Sequence, residues 1–286
     1  MSRDDGAPFE PVEGIVYSVS DGIATIRLNR PEVKNALTFE VADTWADLIE
    51  GARHDDDVRC VVVTGTGRAF CGGGDLDRLA GTRPPIETWR RLDEHMHRVA
   101  RALDRFPKPV IAAVNGDAFA AGMDMALMCD IRFAAASARF CEGYVLAGLV
   151  PGDGGCYFLP RLVGLGRAME LLLTGEMIGA DEAERIGLVN RVYADGDLMA
   201  ATYAVAARLV DRPPVVVEAI KRLTLASARS DLATSLDLAS SQMAVVRSTG
   251  ESAAAFAQFT EDRRRRRAAR GPQAGLQTGP ANGGSR

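Results

Sequence analysis

Aromatic residues supply only 6% of this 286-residue chain, and its 34 lysines and arginines are outnumbered by 38 aspartates and glutamates. Few rings leave little to stack bases on, and a formal charge of −4 is the wrong sign for nucleic acid or an anionic lipid surface. The five cysteines, Cys60, Cys71, Cys129, Cys141 and Cys156, are odd in number and contain no C-x-x-C. That argues against a disulfide framework and offers no zinc-ligand spacing, so all five are expected as buried free thiols. No stretch approaches the roughly 20 uninterrupted apolar residues that a membrane span needs. The opening segment, Met1 to Pro11, is acidic and polar, without the basic-then-apolar order of a secretory signal. A cytoplasmic location is the resulting expectation.

What remains suits a globular enzyme. Hydrophobic residues make up 47% of the chain, enough to fill a core, and the length fits one or two domains at about 150 residues each. Residues 1–10 and 268–286 read as disordered tails, the second rich in Gly, Pro, Ser and Asn. Between them, residues 11–200 predict an α/β core and residues 201–267 a helical region. Two β-type runs, Gly14–Val19 and Ile23–Leu28, are joined by Ser20-Asp21-Gly22, a hairpin signal. Phe39 to Arg53 has helical periodicity, with Thr38 as N-cap. Val58–Thr64 and Val110–Val114 are apolar, β-branched runs of the kind buried on both faces of a parallel sheet. A long helix is predicted from Arg83–Pro85 to Phe106, stopped by Pro107-Lys108-Pro109.

Each buried run ends in a glycine-rich turn. The first continues into Gly65-Thr-Gly-Arg-Ala-Phe-Cys-Gly-Gly-Gly-Asp75-Leu76, the second into Asn115-Gly-Asp-Ala-Phe-Ala-Ala-Gly-Met-Asp124. The plain reading is a tight strand-to-helix turn in each case. A dinucleotide loop needs the G-x-G-x-x-G spacing, which is absent. The chemical reading is that two such turns aim two backbone N–H groups at one point, an oxyanion hole for a thioester carbonyl becoming an enolate.

Five segments in register then carry a specific resemblance: LNRPEVKNALT (28–38), GRAFCGGGDL (67–76), KPVIAAVNGDAFAAGMDMALMCDIRFAA (108–135), GLVPGDGG (148–155) and LLTGEMIGADEAERIGLVNRV (172–192). Together they are similar to the enoyl-CoA hydratase/isomerase, or crotonase, superfamily. The resemblance implies a spiral of β-β-α units with a helical C-terminal trimerisation region, and a homotrimer or dimer of trimers. It implies an acyl-CoA substrate, the coenzyme A belonging to that substrate and no further cofactor or metal. Carried over by position, the oxyanion donors fall on Gly72 and Ala121, and Gly73, Gly74, Asp75 and Leu76 continue the loop against CoA. Relatives commonly have glycine at position 121; alanine keeps the N–H provided that its φ is negative. Asp75 can equally be a helix N-cap.

Hydratases that the chain resembles hold water between two glutamates. The first position falls on Asp124, one methylene shorter, and equally a helix first-turn acid. The second falls on Tyr144, a poor base with an ordinary pKa near 10, which puts simple hydration in question. Glu142, two residues earlier on an extended segment, shares the side of Tyr144 and is a weak substitute. Asp153, between glycines, is either turn chemistry or the active-site aspartate that hydrolytic relatives place there. His97 falls where an aryl-CoA dehalogenase has a functional histidine; His95 and His97, at i and i+2 of a helix, point too far apart to share a metal. Lys34, Arg30 and the run Arg263–Arg267 can meet CoA phosphates or remain solvated, and Cys71 reads as packing. The preferred function is enoyl-CoA hydration with Asp124 transferring the proton. The alternatives are hydrolysis through Asp153, and RNA binding, which the net negative charge opposes.

Overall fold

The computed structural model describes residues 14–75, 81 and 83–269. The expected tail at 1–10, residues 270–286 of the other tail and Leu76 lie outside those residues, whereas 268 and 269 continue the last helix. The chain opens with a hairpin, β1 (Ile15–Ser20) and β2 (Ile23–Leu28), turned by Asp21 and Gly22, both at positive φ. Helix α1 (Phe39–His54) follows, its N-terminus capped by Thr38, whose hydroxyl accepts from Val41 N–H at 3.3 Å. Next come β3 (Cys60–Gly65) and a short β4 (Ala69–Cys71). The predicted long helix is two, α2 (Pro85–Arg91) and α3 (His97–Arg105), joined by a π-type turn at Leu92–Met96. A widened turn of that kind re-aims side chains locally, and here Leu92 and Met96 both reach the wall of a cavity.

Two further repeats of the strand–short strand–helix pattern follow. The first is β5 (Val110–Val114), β6 (Asp117–Phe119) and α4 (Ala121–Leu127). The second is β7 (Ile131–Ala135), β8 (Arg139–Cys141) and α5 (Gly155–Val163). Gly164, at φ +79°, separates α5 from α6 (Leu165–Thr174). Then come β9 (Ile178–Gly179), α7 (Ala180–Arg185) and β10 (Arg191–Tyr193). Four helices close the described chain: α8 (Leu198–Val210), α9 (Pro214–Ser227), α10 (Leu232–Arg247) and α11 (Gly250–Ala269).

The long strands build one sheet in the order β1-β2-β3-β5-β7-β10, parallel apart from the first hairpin. The short ones build a second, β4-β6-β8-β9. This is the expected α/β spiral of β-β-α units. Every residue of β3 and β5 is buried, as their unbroken apolar sequence requires when both faces are covered. Helix α8 crosses the expected boundary at residue 200 and packs on the large sheet, its Tyr203 hydroxyl 3.0 Å from Thr25 Oγ1. Helices α10 and α11 stand apart, with Leu232, Leu236, Met243, Phe256 and Phe259 all more than half exposed. Four of the cysteines are buried thiols. Cys156 is a correction: it is exposed, because it lies on the outward face at the start of α5.

Candidate active site

The two glycine-rich turns meet because β4 and β6 are neighbours in the small sheet. Gly122, on the first turn of α4, allows that meeting: a Cβ there would sit 2.1 Å from Cys71 O. Asn35, itself at φ +57°, ties the incoming loop down, its amide donating to Ala69 O at 2.8 Å and Thr66 O at 3.0 Å. That buried asparagine lies inside the 28–38 segment, and nothing in its spacing marks it as a brace.

Which N–H groups are free follows from the pairing of the loop. Gly72 N–H donates to Lys34 O at 2.8 Å, so it is committed within the fold and is not an available oxyanion donor. This corrects the expectation for Gly72. Leu37 takes the next two groups, donating to Gly73 O at 2.7 Å and accepting from Asp75 N–H at 2.9 Å. Alternation along this parallel bridge turns Gly74 N–H the other way. Gly74 and Ala121 both line the same cavity, and neither N–H has an acceptor among the described residues. Ala121 is the first residue of α4, where N–H groups have no intrahelical acceptor. It is Ala120, not Ala121, that takes the strained conformation, φ +47° and ψ −118°.

The cavity measures about 260 Å³. Leu37, Phe39, Leu92, Met96, Leu149 and Val150 give it apolar walls; Asp75, Arg83, Thr88 and Arg91 also line it, and Tyr144 and Asp153 bring polar groups. Asp124 has no exposure at all and lies behind Tyr144. The Tyr144 hydroxyl stands 2.7 Å from Asp124 Oδ2 and 2.9 Å from Asp153 Oδ2. A phenol has one hydrogen, so it donates to one carboxylate while the other carboxyl, protonated, donates to the phenol oxygen. Burial pushes Asp124 up to about 7; the charge of Asp153 adds to this, and the hydrogen bond from Tyr144 opposes it. Burial likewise raises Asp153, against the Tyr144 hydrogen bond and nearby His97. Burial and the two aspartates raise Tyr144, so it works as an O–H donor and never as a phenolate base.

The remaining candidates separate cleanly. Glu142, the weak substitute, is 1% exposed and reaches Asp124. His97 Nε2 contacts Gly152 O at 2.8 Å and so braces the loop that carries Asp153. His95 pairs with Asp43 at 2.7 Å. Arg30 is occupied, its guanidinium donating to Ala36 O and Asp75 Oδ2 at 2.8 and 3.2 Å. Lys34 contributes its carbonyl to the loop from a left-handed conformation. Arg263–Arg267 lie exposed near the end of α11.

Comparison with known proteins gives this arrangement a family. The sequence profile described as enoyl-CoA hydratase/isomerase matches residues 18–267. The chain is 35% identical over 254 residues to the short-chain-enoyl-CoA hydratase of Clostridium acetobutylicum, covering 88% of this chain and 97% of that one. It is 36% identical over 229 residues to the 1,2-epoxyphenylacetyl-CoA isomerase of Escherichia coli, covering 79% and 87%. The crystal structure of enoyl-CoA hydratase from Bacillus anthracis superposes with a TM-score of 0.84 at 30% identity, covering 87% and 97%. With its fold, its matched motifs and these relatives in agreement, the chain belongs to the enoyl-CoA hydratase/isomerase family, the crotonase superfamily of acyl-CoA enzymes.

Proposed function

We propose that this protein hydrates the double bond of 2-enoyl-CoA thioesters, and that its polar network replaces the glutamate pair. The observation that carries the reading is the Tyr144 hydroxyl touching both Asp124 and Asp153 in a cavity that also presents two unpaired N–H groups. The thioester oxygen sits between Gly74 and Ala121 N–H, which stabilise the enolate. In place of Asp124, which was expected to transfer the proton but does not line the cavity, Asp153 as carboxylate takes a proton from the water that adds at the β-carbon and returns it at the α-carbon. One C–O and one C–H bond form, the C=C π bond is consumed, and the enzyme ends as it began. The proton balance closes with no cofactor beyond the CoA of the substrate. Tyr144 keeps Asp153 in exchange with Asp124, so the acid nearest the substrate shares its charge and can act near neutral pH.

Gly73, Gly74, Asp75 and Leu76 carry the CoA moiety in this reading. The apolar exposed faces of α10 and α11 support a homotrimer or a dimer of trimers. Among the described residues no helix is long and apolar enough to cross a membrane, in keeping with work in the cytoplasm.

The test is a panel of crotonyl-, 3-enoyl-, aryl- and β-ketoacyl-CoA thioesters followed by mass spectrometry. A gain of water on crotonyl-CoA is the expected result. Release of free CoA would instead favour hydrolysis, a reading supported by Asp153 lining the cavity beside Tyr144. Tyr144→Phe separates Asp153 from Asp124; turnover should fall about 100-fold with acyl-CoA binding kept, the usual size of a general acid–base contribution.

A further inference from the structure

Three carboxyl groups and one phenol occupy this site, and their hydrogens do not suffice if all three acids are ionised. Asp124 Oδ1 and both oxygens of Glu142 are buried without a donor among the described residues. They converge on one spot: a Cβ added to Gly155 would lie 2.5 Å from Asp124 Oδ1 and 2.9 Å from each Glu142 oxygen. A proton held between the two carboxyls gives Asp124 Oδ1 and one Glu142 oxygen a partner and spares the site a second buried charge, which is costly when unpaired.

Resting on the reading above, we propose that Glu142 is a positioning residue that keeps a proton against Asp124, so that the network carries one negative charge, which Tyr144 passes between Asp124 and Asp153. In one state Glu142 and Tyr144 both donate to the Asp124 carboxylate, and protonated Asp153 donates to the phenol oxygen. In the other, Tyr144 donates to the Asp153 carboxylate, and Asp124, now protonated, donates to the phenol while still accepting from Glu142. Two hydrogens shift between the states and none is gained or lost. The acid on the cavity wall is thereby a base in one state and an acid in the other.

The groups facing Glu142 are consistent with its holding a proton. Asp124 and Asp153 are the charged groups that act on it, Tyr144 and the thiols of Cys141 and Cys156 are neutral neighbours, and His97 acts on Asp153 alone. Among the described residues no cation offsets it. Burial first, and then the charge of Asp124, push its carboxyl up to about 10.

Glutamate carboxyls labelled with carbon-13 test this in the wild-type protein without substrate. One resonance should stay protonated through pH 8, where an ordinary glutamate near 4.3 is ionised, and Glu142→Gln should delete it. Glu142→Gln keeps a permanent donor to Asp124, so the part of the alkaline fall in kcat that comes from ionising Glu142 should disappear while KM stays close to wild type. All glutamates ionised at pH 8 would overturn the proposal, and the wild-type titration decides it even if the variant does not fold. A protonated glutamate in a protein without hydratase activity would uphold the proton against Asp124 and refute the proposed reaction instead.

Discussion

Ala120 holds a conformation that alanine rarely adopts, at φ +47° and ψ −118°, between Phe119 of β6 and the first residue of α4. Such a conformation costs about 1–3 kcal/mol and persists where the surroundings impose it. Here the restraint is visible: Ala120 N–H donates to Cys141 O at 2.7 Å, and Ala120 O accepts from Asp124 N–H at 3.0 Å. The strained residue thus fixes both the free N–H of Ala121 and the placement of Asp124. Ala120→Gly should relieve the strain at the loss of one buried methyl, which is worth about 0.8 kcal/mol. A net gain of about 1 kcal/mol in unfolding free energy is expected from urea melts. Lower stability would show that the alanine methyl matters more than the backbone angle.

At the scale of elements, the proposed reaction puts its electrophilic work on the first turn of α4. Proline is accepted at the first position of a helix, where its missing N–H was unpaired anyway. In an Ala120→Gly background, which relaxes the preceding residue, Ala121→Pro should therefore leave the helix folded by circular dichroism. It should also cut kcat by about 100- to 1,000-fold, the loss typical of one oxyanion donor. Unchanged turnover in the folded double variant would remove Ala121 from the oxyanion hole. The loop proposed to supply the other donor is set by pairing with Leu37, and three consecutive glycines in sequence do not show which of them has its N–H spare.

For the whole molecule, the buried acids set how stability varies with pH. Asp124 at about 7 and Glu142 at about 10 both lie far above their values in an unfolded chain, so between roughly pH 5 and 9 the folded state binds more protons than the unfolded one. Stability is then fullest on the acid side and declines as pH rises through these values. Thermal melts of the wild type should show Tm falling from pH 5.5 to pH 9, with a shallower fall in Glu142→Gln, which removes one of the buried titrating acids. A Tm that rises across that range would contradict the assigned protonation.

Local patterns carried much of this protein. The β-branched runs at 58–64 and 110–114 announce buried parallel strands, because only a strand covered on both faces is apolar at every position. Glycine turns after those strands, the five matched segments and the acids Asp124 and Asp153 with Tyr144 were legible on the same terms. The short strands β4, β6, β8 and β9 were not, since two or three residues show no periodicity. The same holds for the site's finer chemistry. Whether Gly72 or Gly74 has a spare N–H depends on acceptors at Lys34 and Leu37, and whether Glu142 is charged depends on Asp124 being folded against it. Sequence chose the residues because composition and spacing act locally; the tertiary structure assigned their protons because hydrogen-bond partners and burial are set by segments distant in the chain.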